Sequence, residues 1–452
     1  MEREVSLEDR LWMVGKMFAM VERYFAHWED SYIQPDAWDG EYAACIGEAI
    51  RASTRQDFER LMRRIVAKLG NRHTWFRDAL TVRGGLGLRL RRLRESWYVV
   101  ESAHEAVRPG AAVVTLNERT PAEWMDEASP YMRSQDERLR EEEWQRVIPT
   151  LVDGNSWALE LGDGLRRRTV TIPRMLPDSR KEMPEGRWLV LDRLAYLRMP
   201  SFANPAYEEA AVGWLMRVSN ADALVVDVRG NTGGATPTKL LRALMERPWP
   251  WWTEFAADVG FLWRRSGGEG QFAILPEGRG AWWRPPHEKP GEPVFRGRLV
   301  VLVDRTTASA AEDFVMPLLV TKRAVVIGET TAGSTGQPVI CQRAGFSMGV
   351  GAIRASLPDG RAFENVGFLS DVWVDMSPED LSSGRDPALA LALELLASDE
   401  SGSGEEDDVE ACVVECQWAS RLCEQGCVSA VFRGRRGGRV LRAGDEAPAR
   451  AD

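Results

Sequence analysis

The 452-residue chain is as informative for what it lacks as for what it holds. No run of about 18 apolar residues occurs anywhere, so no membrane-spanning helix is expected. The opening MEREVSLEDRLWM is charged at once and has no apolar leader core, which makes the cytoplasm the expected compartment. An excess of positive charge is also missing. Lys and Arg number 58 against 68 Asp and Glu, a net charge of −10, and this argues against nucleic acid or an anionic membrane as partner. Cysteine is scarce in the body, where Cys45 and Cys341 are too few for a disulfide framework. Histidine is scarcer still, at four: His27, His73, His104 and His287.

What is present supports a sizeable core. Hydrophobic residues make up 44 %, and the length fits two to four domains. Residues 1–80 read as helices. Leu11, Val14, Met17, Phe18, Val21 and Phe25 form one helical face, and Asp36 to Ile50 and Gln56 to Leu69 repeat the pattern up to a stop at Gly70. Residues 85–178 turn to short strands (Ser96 to Glu101, Ala111 to Leu116, Ser156 to Leu161, Thr169 to Ile172) with two helical pieces, a small β module. Residues 187–397 alternate strand and helix, the mark of an α/β core. Inside that core, 247–296 is rich in loops and tryptophan. It reads equally as an insertion packed on itself or as an aromatic wall over a cleft, and Trp251 and Trp252 are its candidate substrate contacts. The run Gly345 to Leu357 reads as a hairpin.

From 398 to 452 the chain is an acidic linker and a basic, disordered tail. Cys412, Cys416, Cys423 and Cys427 in it would share one face of a helix. Their CxxxC spacing is not that of zinc knuckles, which leaves open a thiol cluster, two disulfides, a soft-metal site or a plain amphipathic helix.

Two stretches carry candidate chemistry. Arg298 to Asp304 (RLVVLVD) is a buried strand, Thr306-Thr307-Ala308 a turn, and Ala310 to Leu319 a helix, so Ser309 stands where strand hands over to helix. There the first free N–H groups of the helix can hold the oxyanion formed when a hydroxyl attacks a carbonyl. Ser309 and Glu312 also fit an ordinary capping box, and the stretch alone supports both readings. Asp227 to Gly234 (DVRGNTGG) closes another strand with two glycines that admit a ligand or simply make a turn. It has neither the GK[ST] of a phosphate loop nor a GxGxxG fingerprint.

Together the blocks resemble the S41 serine peptidases, the superfamily of C-terminal processing proteases, the tricorn core and retinoid-binding-protein-like relatives. ADALVVDVRGNTGG (221–234), VLVDRTTASAAE (301–312), VVIGETTAG (325–333) and LPDGRAFENVGFLSDVWV (357–374) carry the resemblance, in the family's order. The processing proteases place a catalytic lysine where this chain has Ser334. The tricorn-like branch takes a histidine from the end of an N-terminal helix, and Leu69-Gly70-Asn71-Arg72-His73-Thr74 is similar to that motif.

The resemblance implies a crotonase-like α/β core, an N-terminal helical bundle and a PDZ-like module. AVRPGAAVVTLNERT (106–120) is similar to a PDZ segment, which would capture a peptide end by strand addition. It further implies a Ser309–His73–Glu364 triad without metal or cofactor. The oxyanion would be held by the amide of Ala310 and that of Gly233 or Gly234, with Arg229 and Asn231 near the substrate. Peptides or unfolded chain ends would be the substrates, and a homo-oligomer is compatible. The rival reading is a non-catalytic ligand- or peptide-binding protein on the same fold. Arg72 beside His73 is expected to lower the pKa of that histidine.

Overall fold

The computed structural model describes residues 4–81, 83–162, 166–176, 182–292 and 295–398. The Cys412–Cys427 cluster lies outside them.

The chain opens with helices α1 (Leu7–Tyr24), α2 (Pro35–Arg51) and α3 (Arg55–Ala67). Ser6 caps α1 through the N–H of Asp9, and Thr54 and Asp57 form a reciprocal capping box on α3. Then come β1 (Trp75–Asp78), β2 (Leu88–Leu93), β3 (Ser96–Ser102), β4 (Ala112–Leu116), α4 (Pro121–Ala128), α5 (Glu137–Val147), β5 (Ser156–Gly162) and β6 (Arg167–Pro173). Next are β7 (Glu185–Val190), β8 (Leu194–Arg198), α6 (Pro205–Arg217), β9 (Ala223–Asp227) and α7 (Thr238–Leu244). The tryptophan-rich stretch holds β10 (Thr253–Ala256), α8 (Val259–Ser266), β11 (Gln271–Ile274) and β12 (Ala281–Arg284). After it run β13 (Arg298–Val303), α9 (Ala310–Val320), β14 (Val325–Gly328), β15 (Pro338–Arg343), β16 (Phe346–Gly351), β17 (Arg354–Ser356), β18 (Val372–Trp373), α10 (Pro378–Ser383) and α11 (Pro387–Ser398).

These elements gather into two compact units that do not follow chain order. One takes the chain up to Lys181, Pro248–Glu288 and Ala332–Gly367. The other takes Glu182–Arg247, Lys289–Thr331 and the chain from Phe368 on.

In the first unit, α1, α2 and α3 bury Met13, Met17, Phe18, Trp38, Phe58 and Met62 against Phe76, Phe346 and Met348 of the sheet β1-β16-β15. Each such side chain contributes roughly 1.5–3 kcal/mol by leaving water. A five-stranded antiparallel sheet, β2-β3-β4-β5-β6, surrounds Trp97, Trp144 and Trp157. Its edge strand β2 is already engaged: the Leu90 N–H donates to Gln145 Oε1 at 2.7 Å, and Gln145 Nε2 donates to the Leu90 carbonyl at 2.8 Å. The tryptophan-rich stretch is no loop. It forms the sheet β11-β12-β10-β17.

That sheet corrects the expected hairpin at 345–357. The hairpin is β15–β16, closed by Ala344 and Gly345, which supply the two left-handed positions (φ 50° and 81°) of a two-residue turn. β17 leaves it to pair with β10.

The second unit is a six-stranded sheet, β18-β14-β13-β9-β8-β7, parallel except for the edge strand β7. β9 is buried throughout, as its unbroken ALVVD run requires of a central strand covered on both faces. Val225, Val300, Leu302 and Ile327 pack against Ala388, Leu391, Ala392 and Leu396 of α11. The parallel strands end together, so the loops after β9 and β13 emerge side by side, where open α/β sheets carry their sites. Among the described residues no helix is long and apolar enough to cross a membrane.

Candidate active site

The loop after β13 is organised by Asp304. Its Oδ1 accepts from the N–H groups of Thr306 and Thr307, both at 3.0 Å, and from that of Gly230 on the neighbouring loop at 3.1 Å. The Thr307 hydroxyl donates to the Val228 carbonyl at 3.1 Å, and the Ala308 N–H to that of Asn231 at 3.0 Å. The two loops are therefore stitched together immediately before Ser309.

Ser309 has φ 57° and ψ −125°. An ordinary N-cap residue lies in the extended region, and a non-glycine residue with this backbone is strained by on the order of 1–3 kcal/mol. The Ser309 N–H donates to Glu312 Oε2 at 3.1 Å, as a capping box requires. Glu312 is fully buried, and its other oxygen accepts from the Thr331 hydroxyl at 2.6 Å. The capping reading thus accounts for Glu312, and it leaves the strained backbone of Ser309 unexplained.

Gly233 lies directly against this junction. A Cβ there would stand 2.7 Å from Ser309 Cβ and 2.8 Å from the Ala310 nitrogen, and φ is 100°. Its own N–H donates to Asn231 Oδ1 at 2.9 Å, which removes Gly233 as an oxyanion donor. Among the described residues the N–H groups of Gly234 and Ala310 carry no hydrogen bond. Asn231 is also corrected as a substrate contact. Its side chain is fully buried, and Nδ2 donates to the Met199 carbonyl at 3.0 Å, so it shapes the turn. Arg229 is likewise committed, bonded to Asp227 (Nη2–Oδ2, 2.7 Å) and Asp386 (Nη1–Oδ1, 2.9 Å; Nη2–Oδ2, 2.7 Å).

His73 follows α3. Gly70 (φ 60°) ends the helix, and a turn from the Asn71 carbonyl to the Thr74 N–H (3.1 Å) presents the imidazole. His73 Nδ1 lies 3.0 Å from Ser334 Oγ. Gly336 lets the loop pass, because a Cβ there would stand 2.4 Å from His73 Cβ. Burial first, then the cations of Arg72 and Arg133, push the His73 pKa down to about 3, so the imidazole is neutral at pH 7.

Glu364 is buried next to the following residue of that loop. The Thr335 hydroxyl donates to Glu364 Oε1 at 2.6 Å, and the Ala355 N–H to the same oxygen at 3.3 Å. His73 and Glu364 are thus joined to consecutive residues, Ser334 and Thr335. Sequence reasoning missed both as partners. Ser334 had been visible only as the residue replacing a lysine. Trp252 is buried and packs its ring on Phe363 at 4.6 Å, buttressing the Glu364 loop rather than meeting a ligand; Trp251 is half-buried.

The other histidines separate by environment. His287 is exposed, and His104 Nε2 bonds the Leu86 carbonyl at 2.9 Å. His27 lies just beyond α1 and is 2 % exposed. Burial, His73 and Arg354 lower its pKa to about 3.

Ser309, Ala310, Gly233 and Gly234 belong to the second unit, and His73, Ser334, Thr335 and Glu364 to the first.

Residues 193–374 match the model of peptidase family S41. Over 208 residues the chain is 27 % identical to the carboxyl-terminal-processing protease of Synechocystis sp., covering 45 % of this chain and 44 % of that protein. Over 206 residues it is 26 % identical to a putative tricorn-like protease C-terminal subunit of Sulfurisphaera tokodaii, covering 45 % of this chain and 21 % of that one. The matches therefore span less than half of either relative. Among solved structures, mature CPAF complexed with lactacystin aligns over 87 % of this chain and 99 % of its own, with TM-score 0.64 and 13 % identity. The CPAF S499A mutant gives 0.66, 88 %, 99 % and 13 %. At that identity the likeness speaks for the fold alone. Over residues 193–374, then, the chain is similar to peptidase family S41.

Proposed function

We propose that the protein is a serine peptidase acting on peptides or unfolded chain ends, with Ser309 as nucleophile, His73 as base and Glu364 as its orienting acid. The strained backbone of Ser309 carries the reading, because a residue held at φ 57° in a buried, over-determined turn is a device for presenting a side chain.

In the reaction, Ser309 Oγ bonds to the peptide carbonyl carbon while its proton passes to His73. Nδ1 faces Ser334, so Nε2 is the accepting atom. The N–H groups of Ala310 and Gly234 take the oxyanion, and removal of one such donor typically costs about 3 kcal/mol of transition-state stabilisation. Protonated His73 then gives its proton to the leaving amine as the C–N bond breaks. Water, deprotonated by the same nitrogen, releases the acyl group and restores Ser309. Glu364 holds Thr335, the residue after the Ser334 that faces His73, so its part is to fix the loop that orients the imidazole.

PDZ-like capture of a peptide end by the five-stranded module would need an open strand edge. Gln145 engages Leu90 on β2, which leaves the β6 edge for that role.

The test is labelling by a fluorophosphonate probe together with cleavage of an unfolded protein. Wild type is expected to label and cleave. Ser309→Ala should lose both by at least roughly 10³-fold with its unfolding temperature unchanged. Retained turnover in that variant would overturn the assignment.

A further inference from the structure

A cavity of about 280 Å³ opens in the first unit, walled by α3, β1 and the segment after Tyr131. Arg63, Arg77 and Arg133 line it, with Trp75 and Tyr131 as aromatic walls, and no acid is among its lining residues.

The three cations are held to different degrees. Arg133 is fixed: Nε donates to Glu143 Oε1 at 3.1 Å, and Nη1 to the carbonyls of Arg72 (2.9 Å) and Thr74 (3.4 Å), on either side of His73. Arg63 has its nearest acid, Glu59, at 3.7 Å, beyond hydrogen-bond length. Burial, with Arg133 and Arg83 adding to it, lowers its pKa although Glu59 and Glu143 oppose this. Among the described residues the Arg77 guanidinium has no ion pair or hydrogen bond, and Trp75 Nε1 is a buried donor without an acceptor.

Three guanidinium groups converge on a cavity without an acid of its own, and a guanidinium fork matches a carboxylate in the plane of both groups. Aromatic walls beside such a fork suit the apolar body of the molecule that carries the acid. We propose that this cavity binds a carboxylate borne by a peptide, held by Arg63, Arg77 and Arg133, with the adjoining side chain against Trp75 and Tyr131. The proposal rests on the peptidase reading only for the class of ligand. The acid has two sources, the α-carboxylate of a peptide end and an acidic side chain, and the chemistry is common to both.

Calorimetric titration of the full chain carrying Ser309→Ala separates the outcomes, since it reads binding and stands whether or not Ser309 cleaves. The probes are N-acetylated tripeptides ending in phenylalanine as free acid, in phenylalanine amide, and in aspartate amide. The free acid is expected to bind at least about tenfold tighter than the phenylalanine amide, the scale of one charge-assisted pair. Aspartate amide binding as well as the free acid also supports the site and identifies the side-chain source. Adding Arg77→Gln or Arg63→Gln should weaken the acids about tenfold and leave the phenylalanine amide unchanged. Arg77 is exposed, so its variant keeps the test valid if the Arg63 variant fails to fold. Equal affinity for free acid and phenylalanine amide, binding of neither acid, or undiminished acid binding by Arg77→Gln would overturn the proposal.

Discussion

The two regions that hold the candidate residues are built in opposite ways. Around Ser309 the structure is local: Asp304, Thr306, Thr307 and Glu312 sit within five residues of it, and one neighbouring loop, Val228 to Gly234, supplies the rest. Around His73 a local turn sets only the backbone, and the groups that meet the side chain are mostly distant. Its partner Ser334 and the glutamate at Thr335 come from distant parts of the chain, and Arg133 grips the backbone on both sides of the histidine from a third. A nucleophile turn is a backbone device, specified by glycines, a short acid and a helix start. A base is a side chain that must be desolvated and oriented, and that takes walls from several elements.

The contrast can be broken most strongly at Gly233. Gly233→Ala puts a methyl group against Ser309 and the Ala310 nitrogen at a left-handed position, so activity on an unfolded protein should fall by roughly 100-fold or more, with about 1–3 kcal/mol of stability lost. Near-normal kcat in that variant would show that the turn is less tightly specified than its contacts indicate.

Ser334→Ala tests the distributed side. It removes the hydroxyl at His73 Nδ1 and should lower kcat about tenfold with KM little changed, and Ser334→Thr should restore part of the loss. An unchanged kcat would mean that the imidazole is oriented by its walls alone.

The smallest effect concerns acid. The folded pKa of buried His27 lies at about 3, below the unfolded value near 6.5, so between those values the unfolded chain binds more protons. Its contribution to stability is complete above about pH 6.5 and is lost as pH falls toward 3, at up to about 1.4 kcal/mol per pH unit. His27→Gln should flatten the fall in unfolding temperature between pH 6.5 and pH 4 by this share. A slope identical to wild type would show that His27 does not titrate on unfolding.

The sequence by itself determined the helical start of the chain, the strand–helix alternation of the core and the Ser309 junction, because helical periodicity, buried β-branched runs and capping residues act within a few positions. It also singled out Glu312, through its spacing from Ser309. Only the tertiary structure decided the rest. Asn231 claims the Gly233 N–H, Arg229 is closed off by two aspartates, Trp252 packs inward on Phe363, and the tryptophan-rich stretch becomes a sheet by pairing with β17. Each of these depends on which distant group arrives as hydrogen-bond or packing partner, and a residue's availability to a substrate is what remains after those partners are satisfied.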